Sequence, residues 1–215
     1  PRTGFVKDQH GVWQMVLRDV VPGTYRYQYV VDQVITPDPR NPLVSPTHTT
    51  VMSLVRVTGP ETAFEDTRAV PHGAVASVYY ASPAFGGHRR MHVYTPPAYE
   101  HGTASYPVLY LLHGGGDCDA SWSTIGRAGF IMDNLIATGE TLPMIIVMPA
   151  GHAPGPRLTF PGSPAMTADP ANDPFTDDLL EGVLPFMETN YRVRAAPEAR
   201  AIAGLSMGGV QAANI

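Results

Sequence analysis

Two stretches of five residues are apolar at every position, and they constrain the fold more than any other feature of the chain. They are residues 108–112 (Val-Leu-Tyr-Leu-Leu) and residues 144–148 (Met-Ile-Ile-Val-Met). Strands of this kind suit burial on both faces, as in a parallel sheet. Between them, residues 126–138 carry apolar side chains on one helical side, and Gly139 follows as a C-terminal stop. This alternation predicts an α/β fold.

Further elements of the same kind flank these two strands. Residues 75–80 and 90–95 read as antiparallel strands around a turn at Phe85-Gly86-Gly87. Residues 174–190 have apolar positions every four residues and predict a second helix, which Pro185 would perturb. Residues 200–204 predict a short strand. Residues 74–215 are therefore interpreted as one α/β domain.

The first sixty residues follow a different pattern. Segments near residues 13–17 and 25–31 alternate apolar and polar side chains, which is typical of strands exposed on one face. Residues 1–60 predict a small Ig-like β-sandwich. Because sixty residues are few for this fold, we expect the sandwich to be truncated. Residues 61–73 are polar and are interpreted as a linker. The aromatic residues of this part are expected in the sandwich core, with a sugar-binding platform as the alternative: Trp13, Tyr25, Tyr27 and Tyr29.

Composition excludes several classes of function. The net charge is -5 at pH 7, so the chain offers no basic face for nucleic acid. No apolar run approaches the roughly 18 residues of a membrane-spanning helix. A single cysteine, Cys118, excludes an intrachain disulfide framework and a cysteine-rich metal site. We expect no metal and no cofactor.

The strongest chemical signal is Gly-Leu-Ser-Met-Gly at residues 204–208. A serine nucleophile has to stand on a sharp turn between a strand and a helix, and glycines two residues before and after it remove side chains that would clash there. The strand at residues 201–203 precedes this motif, so Ser206 is the candidate nucleophile. The alternative is a glycine-rich turn with a bystander serine.

A second motif, His-Gly-Gly-Gly at residues 113–116, directly follows the strand at 108–112. Acyl transfer builds negative charge on a carbonyl oxygen, and two backbone N–H groups aimed at that oxygen lower the barrier. The N–H groups of Gly115 and Met207 are the candidate oxyanion hole. A glycine-rich phosphate loop is the alternative, but the Lys-Ser/Thr of a P-loop is missing.

Three further residues are candidates for the substrate pocket. His113 belongs to the second motif, and Trp122 follows it, either as an aromatic wall for a substrate ring or as a packing residue under the loop. His152 follows a strand end, where the sites of α/β proteins gather, although a solvated loop is an alternative position for it.

The sequence resembles the esterase D group of α/β-hydrolases, and within it the bacterial feruloyl esterases that act on xylan. The segments that carry the resemblance are residues 111–116, 130–136, 146–149, 175–180 and 191–209. Residues 11–13 and 22–27 resemble the early-set sandwich, related to starch-binding modules, that precedes many such esterases. The resemblance implies serine-dependent hydrolysis of small-molecule or polysaccharide esters, feruloyl or acetyl, with glycan binding by the sandwich. It also favours a secreted or periplasmic bacterial protein.

The sequence departs from this family in one respect. In this fold the catalytic serine precedes the acid and the histidine along the chain. Only residues 207–215 follow Ser206, and all 8 histidines precede it. The acid and histidine are therefore expected beyond Ile215, in an α/β-hydrolase domain of which this chain is an incomplete part. Three alternatives stay open: an acyltransferase similar to mycolyl transferases, an enterochelin-type esterase, and a non-catalytic carbohydrate-binding remnant.

Overall fold

The structure is a computed structural model that describes residues 4–153 and 173–215. Its main feature is a five-stranded mixed sheet in the order β12-β10-β11-β9-β8. The strands are β8 (Ala74–Ser82), β9 (Gly87–Thr95), β10 (Val108–Leu112), β11 (Ile145–Pro149) and β12 (Arg200–Gly204). Strand β10 is parallel to both β11 and β12, whereas β9 is antiparallel to β8 and β11. The predicted parallel pair and the predicted hairpin are both confirmed.

Helices cover the two faces of this sheet. They are α1 (Ala128–Ala137), α2 (Pro174–Asp177), α3 (Leu184–Asn190) and α4 (Met207–Asn214), with a π-helical segment at Asp178–Val183 and 3₁₀ turns at Pro60–Glu65, Tyr99–His101 and Pro197–Ala199. Helix α1 begins later than predicted because Arg127 has a positive φ of 49°. No helix in the described ranges has the length and apolar character needed to cross a membrane.

The predicted helix over residues 174–190 forms as one stretch with a wide turn in its middle. The N–H of Leu184 donates to the carbonyl of Leu179, five residues earlier, which is a π-type bond. Pro185 is the second residue of α3, directly after this wide turn. The expected perturbation by Pro185 is therefore a local change of helical pitch and not a break.

The core explains why two strands are apolar throughout. Ile145 and Val147 of β11 belong to the buried cluster under α2 and α3, whereas Ile146 and Met148 belong to the cluster under α1. Successive side chains of a strand point to opposite faces, so a strand covered on both sides needs apolar residues at every position. This confirms the interpretation of the apolar runs.

The first part of the chain consists of short strands in three small sheets. The strands are β1 (Val6–Lys7), β2 (Trp13–Gln14), β3 (Gly23–Tyr27), β4 (Tyr29–Val31), β5 (Val34–Thr36), β6 (Val44–Pro46) and β7 (Val51–Val57). The pairs β1-β2 and β4-β5 stand alone, and β3, β7 and β6 form the third sheet. All pairings are antiparallel.

These sheets do not confirm the predicted Ig-like sandwich. Among the described residues before 60, none belongs to a hydrophobic cluster. Trp13 is 62% exposed, contrary to the expectation of a core position, while the buried residues of this part are the polar Ser45 and Ser53. The described strands form separate sheets of two or three strands, and their apolar side chains enclose no common cluster of the kind that two stacked sheets share.

The segment 61–73, predicted as a linker, lies against helix α1. The side-chain amide of Asn134 donates to the carbonyls of Phe64 and Asp66, both at 2.9 Å. Nδ1 of His72 lies 2.8 Å from Oδ2 of Asp133. These contacts attach the segment to the α/β domain at several points.

Candidate active site

Ser206 occupies a sharp turn between strand β12 and helix α4. Its backbone has φ 52° and ψ −113°, a positive φ that L-residues other than glycine rarely adopt. Its side chain is exposed at the carboxyl end of β12. Unusual backbone angles of this kind cluster at functional sites, where the surrounding structure maintains them.

The two glycines of the motif are required by close backbone contacts. A Cβ on Gly204 would lie 2.2 Å from the carbonyl oxygen of Gly208, and a Cβ on Gly208 would lie 2.6 Å from that of Leu112. Both distances are far below van der Waals contact. Helix α4 can therefore pack directly onto strand β10, which brings the turn at Ser206 next to the loop that follows β10.

That loop, the glycine loop, comprises residues 113–127 between β10 and α1. It begins with the His-Gly-Gly-Gly motif and lies against the turn. A Cβ on Gly114 would lie 3.7 Å from Cβ of Ser206, and a Cβ on Gly115 would lie 3.8 Å from Cβ of Met207. Among the described residues, neither the N–H of Gly115 nor that of Met207 donates a hydrogen bond to another part of the chain. The fold thus brings Ser206, Gly115 and Met207 together, as the two motifs predict.

His113 is buried below this loop with both ring nitrogens engaged. Its Nδ1 donates to the carbonyl of Gly114 at 2.8 Å, and its Nε2 accepts the N–H of Gly151 at 2.9 Å. Burial lowers the pKa of His113, which favours the neutral ring that this pattern requires. His113 therefore joins the loop to the chain after β11, and its nitrogens are not free to take a proton from Ser206.

Trp122 is a packing residue under the loop, one of the two positions that the sequence leaves open, and it also lines a small cleft; its role as a wall for a substrate ring stays a prediction. Its Nε1 donates to the carbonyl of Leu112 at 3.0 Å, and its ring packs on the cluster below α1. It also lines a small cleft of about 110 Å³ beside Gly114 and Leu205. The cleft includes His113 and Ser121 and adjoins the turn that carries Ser206.

His152 is half-buried after strand β11, at the same end of the sheet. Its Nε2 donates to the carbonyl of Asp117 at 3.1 Å, and its ring centroid lies 3.8 Å from that of His48. Burial lowers the pKa of His152, and the neighbouring His113 ring lowers it further by a smaller amount. His152 is thus a neighbour of the glycine loop and does not line the cleft described above.

Sequence reasoning missed the charged residues that hold the glycine loop. Asp119 is buried and accepts hydrogen bonds from Arg90 at 2.7 and 2.8 Å and from His92 at 2.9 Å. Burial alone would raise the pKa of Asp119, but Arg90 and His92 lower it to about 2. No motif marks these residues, because strand β9 and the loop are about thirty residues apart.

Known proteins are similar to this chain over most of its length. A xylanase/feruloyl esterase from Xylanibacter ruminicola is 32% identical over an alignment of 216 positions, which covers 95% of this chain and 28% of that protein. An esterase from Mycobacterium tuberculosis is 37% identical over 134 residues, 60% of this chain and 26% of that protein. The chain thus spans about a quarter of the length of these curated relatives.

Solved structures support the same relationship. A ferulic acid esterase from the anaerobic fungus Anaeromyces mucronatus matches with a TM-score of 0.58 and 28% identity, over 70% of this chain and 56% of that one. A further ferulic acid esterase matches with a TM-score of 0.55 and 33% identity, over 66% and 52% of the two chains. A family model described as putative esterase matches residues 82–214. The chain therefore belongs to the esterase family of α/β-hydrolase-type proteins.

Proposed function

We propose that the protein to which this chain belongs is a serine carboxylesterase that hydrolyses carbohydrate-linked esters, with Ser206 as its nucleophile. The observation that carries the proposal is the exposed Ser206 at φ 52° between two glycines that backbone contacts require. Its ψ of −113° sets it apart from turn residues with a positive φ such as Ala98 and Arg127, which are in the ordinary left-handed helical region with ψ of 6° and 27°. The proximity of the glycine loop is a second, independent support.

The geometry supports an acyl-enzyme mechanism. Oγ of Ser206 attacks the carbonyl carbon of the ester while a base accepts the hydroxyl proton, and the carbonyl oxygen becomes an oxyanion. The N–H groups of Gly115 and Met207 stabilise this oxyanion, and losing one such donor typically costs about 3 kcal/mol. The intermediate collapses, the alcohol leaves with the proton, and water then hydrolyses the acyl-enzyme by the same steps.

The base and its acid partner are proposed to lie beyond Ile215. In this fold the acid and the histidine follow the serine along the chain. The engagement of both nitrogens of His113 supports this proposal, since the histidine of the glycine motif cannot serve as the base.

The substrate class follows from the relatives. Several are named feruloyl or ferulic acid esterases, one is a xylanase as well, and one solved structure contains ferulic acid. We therefore propose feruloyl or acetyl esters of xylan as substrates, with Trp122 beside the acyl group. Glycan binding by the N-terminal part is proposed on the same basis, because the xylanase/feruloyl esterase matches 95% of this chain.

The test is to compare Ser206→Ala with the wild type in the protein that the complete gene encodes. Hydrolysis of p-nitrophenyl acetate and methyl ferulate should fall by at least about 10³-fold, because the nucleophile is lost. Ser105→Ala, a change at an exposed serine in the loop before β10, is the matched control and should retain full activity.

Equal turnover by the Ser206 variant and the wild type would exclude Ser206 from the mechanism. Absence of turnover in the wild type itself would favour a non-catalytic carbohydrate-binding protein. A preference for methyl ferulate over the acetate ester would select the feruloyl substrate.

A further inference from the structure

Arg26, on strand β3 of the N-terminal part, contacts the glycine loop of the α/β domain. Its Nη1 donates to Oδ1 of Asp117 at 2.5 Å, and its Nη2 donates to Oγ of Ser121 at 3.2 Å. Its Nε and Nη2 also donate to Oγ of Ser45, at 3.1 and 2.9 Å. One guanidinium therefore joins two strands of the N-terminal part to two residues of the loop.

The loop is bound to the N-terminal part at neighbouring points as well. The hydroxyls of Ser45 and Thr124 lie 2.8 Å apart, and the N–H of His48 donates to the carbonyl of Gly116 at 3.1 Å. Ser45 is fully buried by this arrangement. Among the described residues before 60, Ser45 and Ser53 are the buried ones, so this polar contact coincides with one of the two buried points of that region.

Asp117 closes the turn that carries the proposed oxyanion donor. Its own N–H donates to the carbonyl of Gly114 at 2.9 Å, which closes a turn over residues 114–117. Gly115 is the second residue of that turn. A restraint on Asp117 is therefore a restraint on the peptide that carries the Gly115 N–H, whereas three consecutive glycines have little conformational preference of their own.

Charge and burial favour a lasting contact. The side chains of Arg26 and Asp117 are 17% and 23% exposed, so water screens their attraction only in part. The guanidinium is planar and presents its donors in a fixed fork, which suits it to hold several acceptors in one arrangement. A lysine would retain the charge but not this fork.

We propose that Arg26 is a positioning residue for the oxyanion hole, through Asp117, so that the N-terminal part is required for efficient catalysis. This inference rests on the proposed esterase function. The N-terminal part acts on the reacting site through the glycine loop, independently of any glycan that it binds. Loss of the contact loosens the turn at Gly115 and weakens the interaction that forms only in the tetrahedral intermediate.

The experiment compares Arg26→Met with the wild type in the protein that the complete gene encodes. For p-nitrophenyl acetate, kcat should fall about 10- to 100-fold, since a displacement of about 1 Å in an oriented site costs that much, while KM should change less than about twofold. The inhibition constant of phenylboronic acid, which forms a tetrahedral adduct with serine, should rise in parallel with the loss in kcat.

Arg56→Met is the matched control, because Arg56 is also an N-terminal arginine, 19% exposed, that pairs with Asp66 and Glu65 away from the glycine loop. It should leave kcat within about twofold of the wild type. Asp117→Ala removes the carboxylate that Arg26 binds and should lower kcat as Arg26→Met does. The double variant should lose little more than Arg26→Met alone, because the contact between Arg26 and Asp117 is already absent in that variant. Arg26→Lys should have an intermediate kcat.

Equal kcat for Arg26→Met and Arg56→Met, with Ser206→Ala inactive, would overturn this inference and leave the proposed function intact. Activity of Ser206→Ala would instead overturn the proposed function. If Arg26→Met does not fold, the kcat and boronic acid constant of Asp117→Ala and Arg26→Lys decide the question, and wild-type values for both variants would refute the role of Arg26.

Discussion

The two parts of the chain are stabilised in different ways. The α/β part has two clusters of apolar side chains, one on each face of its sheet, and residues such as Leu112 and Val147 are fully buried in them. The described residues before 60 contribute nothing to either cluster, and apolar side chains such as Ile35 and Leu43 are more than 60% exposed. Burial of apolar surface is the main favourable term in folding, so the two parts differ in their own stability.

Polar contacts take the place of a core where the N-terminal part meets the α/β part. Arg26, Ser45 and Arg56 reach the loop or the segment that connects the two parts. Hydrogen bonds of this kind contribute about 1 kcal/mol each, but they fix geometry more precisely than apolar contacts do. A region with little core of its own therefore still contacts, through polar side chains, the loop that is proposed to carry an oxyanion donor.

The largest effect on the free energy of unfolding is expected for a substitution that creates a cavity in the α/β core. Leu112→Ala removes a side chain with 0% exposure and should lower the free energy of unfolding by about 3 kcal/mol. Leu43→Ala, the same change at 62% exposure in the N-terminal part, should cost less than about 0.5 kcal/mol. Chemical denaturation of both variants measures the difference, and similar losses would contradict the contrast drawn between the two parts.

A smaller loss of stability, with a large loss of activity, is expected at the turn that carries Ser206, the proposed nucleophile. Gly204→Ala places a Cβ 2.2 Å from the carbonyl oxygen of Gly208, so helix α4 has to shift. We expect a loss of about 2 kcal/mol in unfolding free energy and about 100-fold in esterase kcat. Gly87→Ala, where the added Cβ meets nothing within 4 Å, is the control. A fully active Gly204→Ala variant would argue against a rigid turn at Ser206.

The sequence predicted the α/β part well because its signals are local. An apolar run implies a doubly covered strand, and a serine between two glycines implies a sharp turn, whatever surrounds them. The strand at 108–112 has the expected bounds, the run at 144–148 forms a strand shifted by one residue to Ile145–Pro149, and Ser206, Gly115 and Met207 lie together. The assignment of Ser206 and the two N–H groups to catalysis stays a prediction.

The N-terminal part was harder to predict because alternation specifies a strand but not its partner. The pattern around Tyr25 is the same in a sandwich and in a small isolated sheet. The contact between Arg26 and Asp117 joins residues 91 positions apart, and nothing in either local sequence marks it. Such contacts depend on how two parts dock, which periodicity and motifs do not describe.

The smallest effect concerns the segment that connects the two parts, where the contact between His72 and Asp133 depends on pH. The hydrogen bond with Asp133 raises the pKa of His72 above its ordinary value. A histidine whose pKa is raised in the folded state contributes its full stabilisation at pH values below the unfolded pKa of about 6.5. This contribution disappears as the pH rises through the folded-state pKa. We therefore compare the melting temperatures of His72→Gln and the wild type at pH 6 and pH 8.

The melting temperature of the wild type should exceed that of His72→Gln by more at pH 6 than at pH 8. His113 and His152, whose lowered pKa values favour folding at higher pH, are present in both proteins and cancel in the difference. His101→Gln, at an exposed position in a 3₁₀ turn, serves as the control and should show no such trend. A difference that is constant or larger at pH 8 would mean that His72 binds Asp133 as a neutral ring, so that this contact does not depend on protonation of His72.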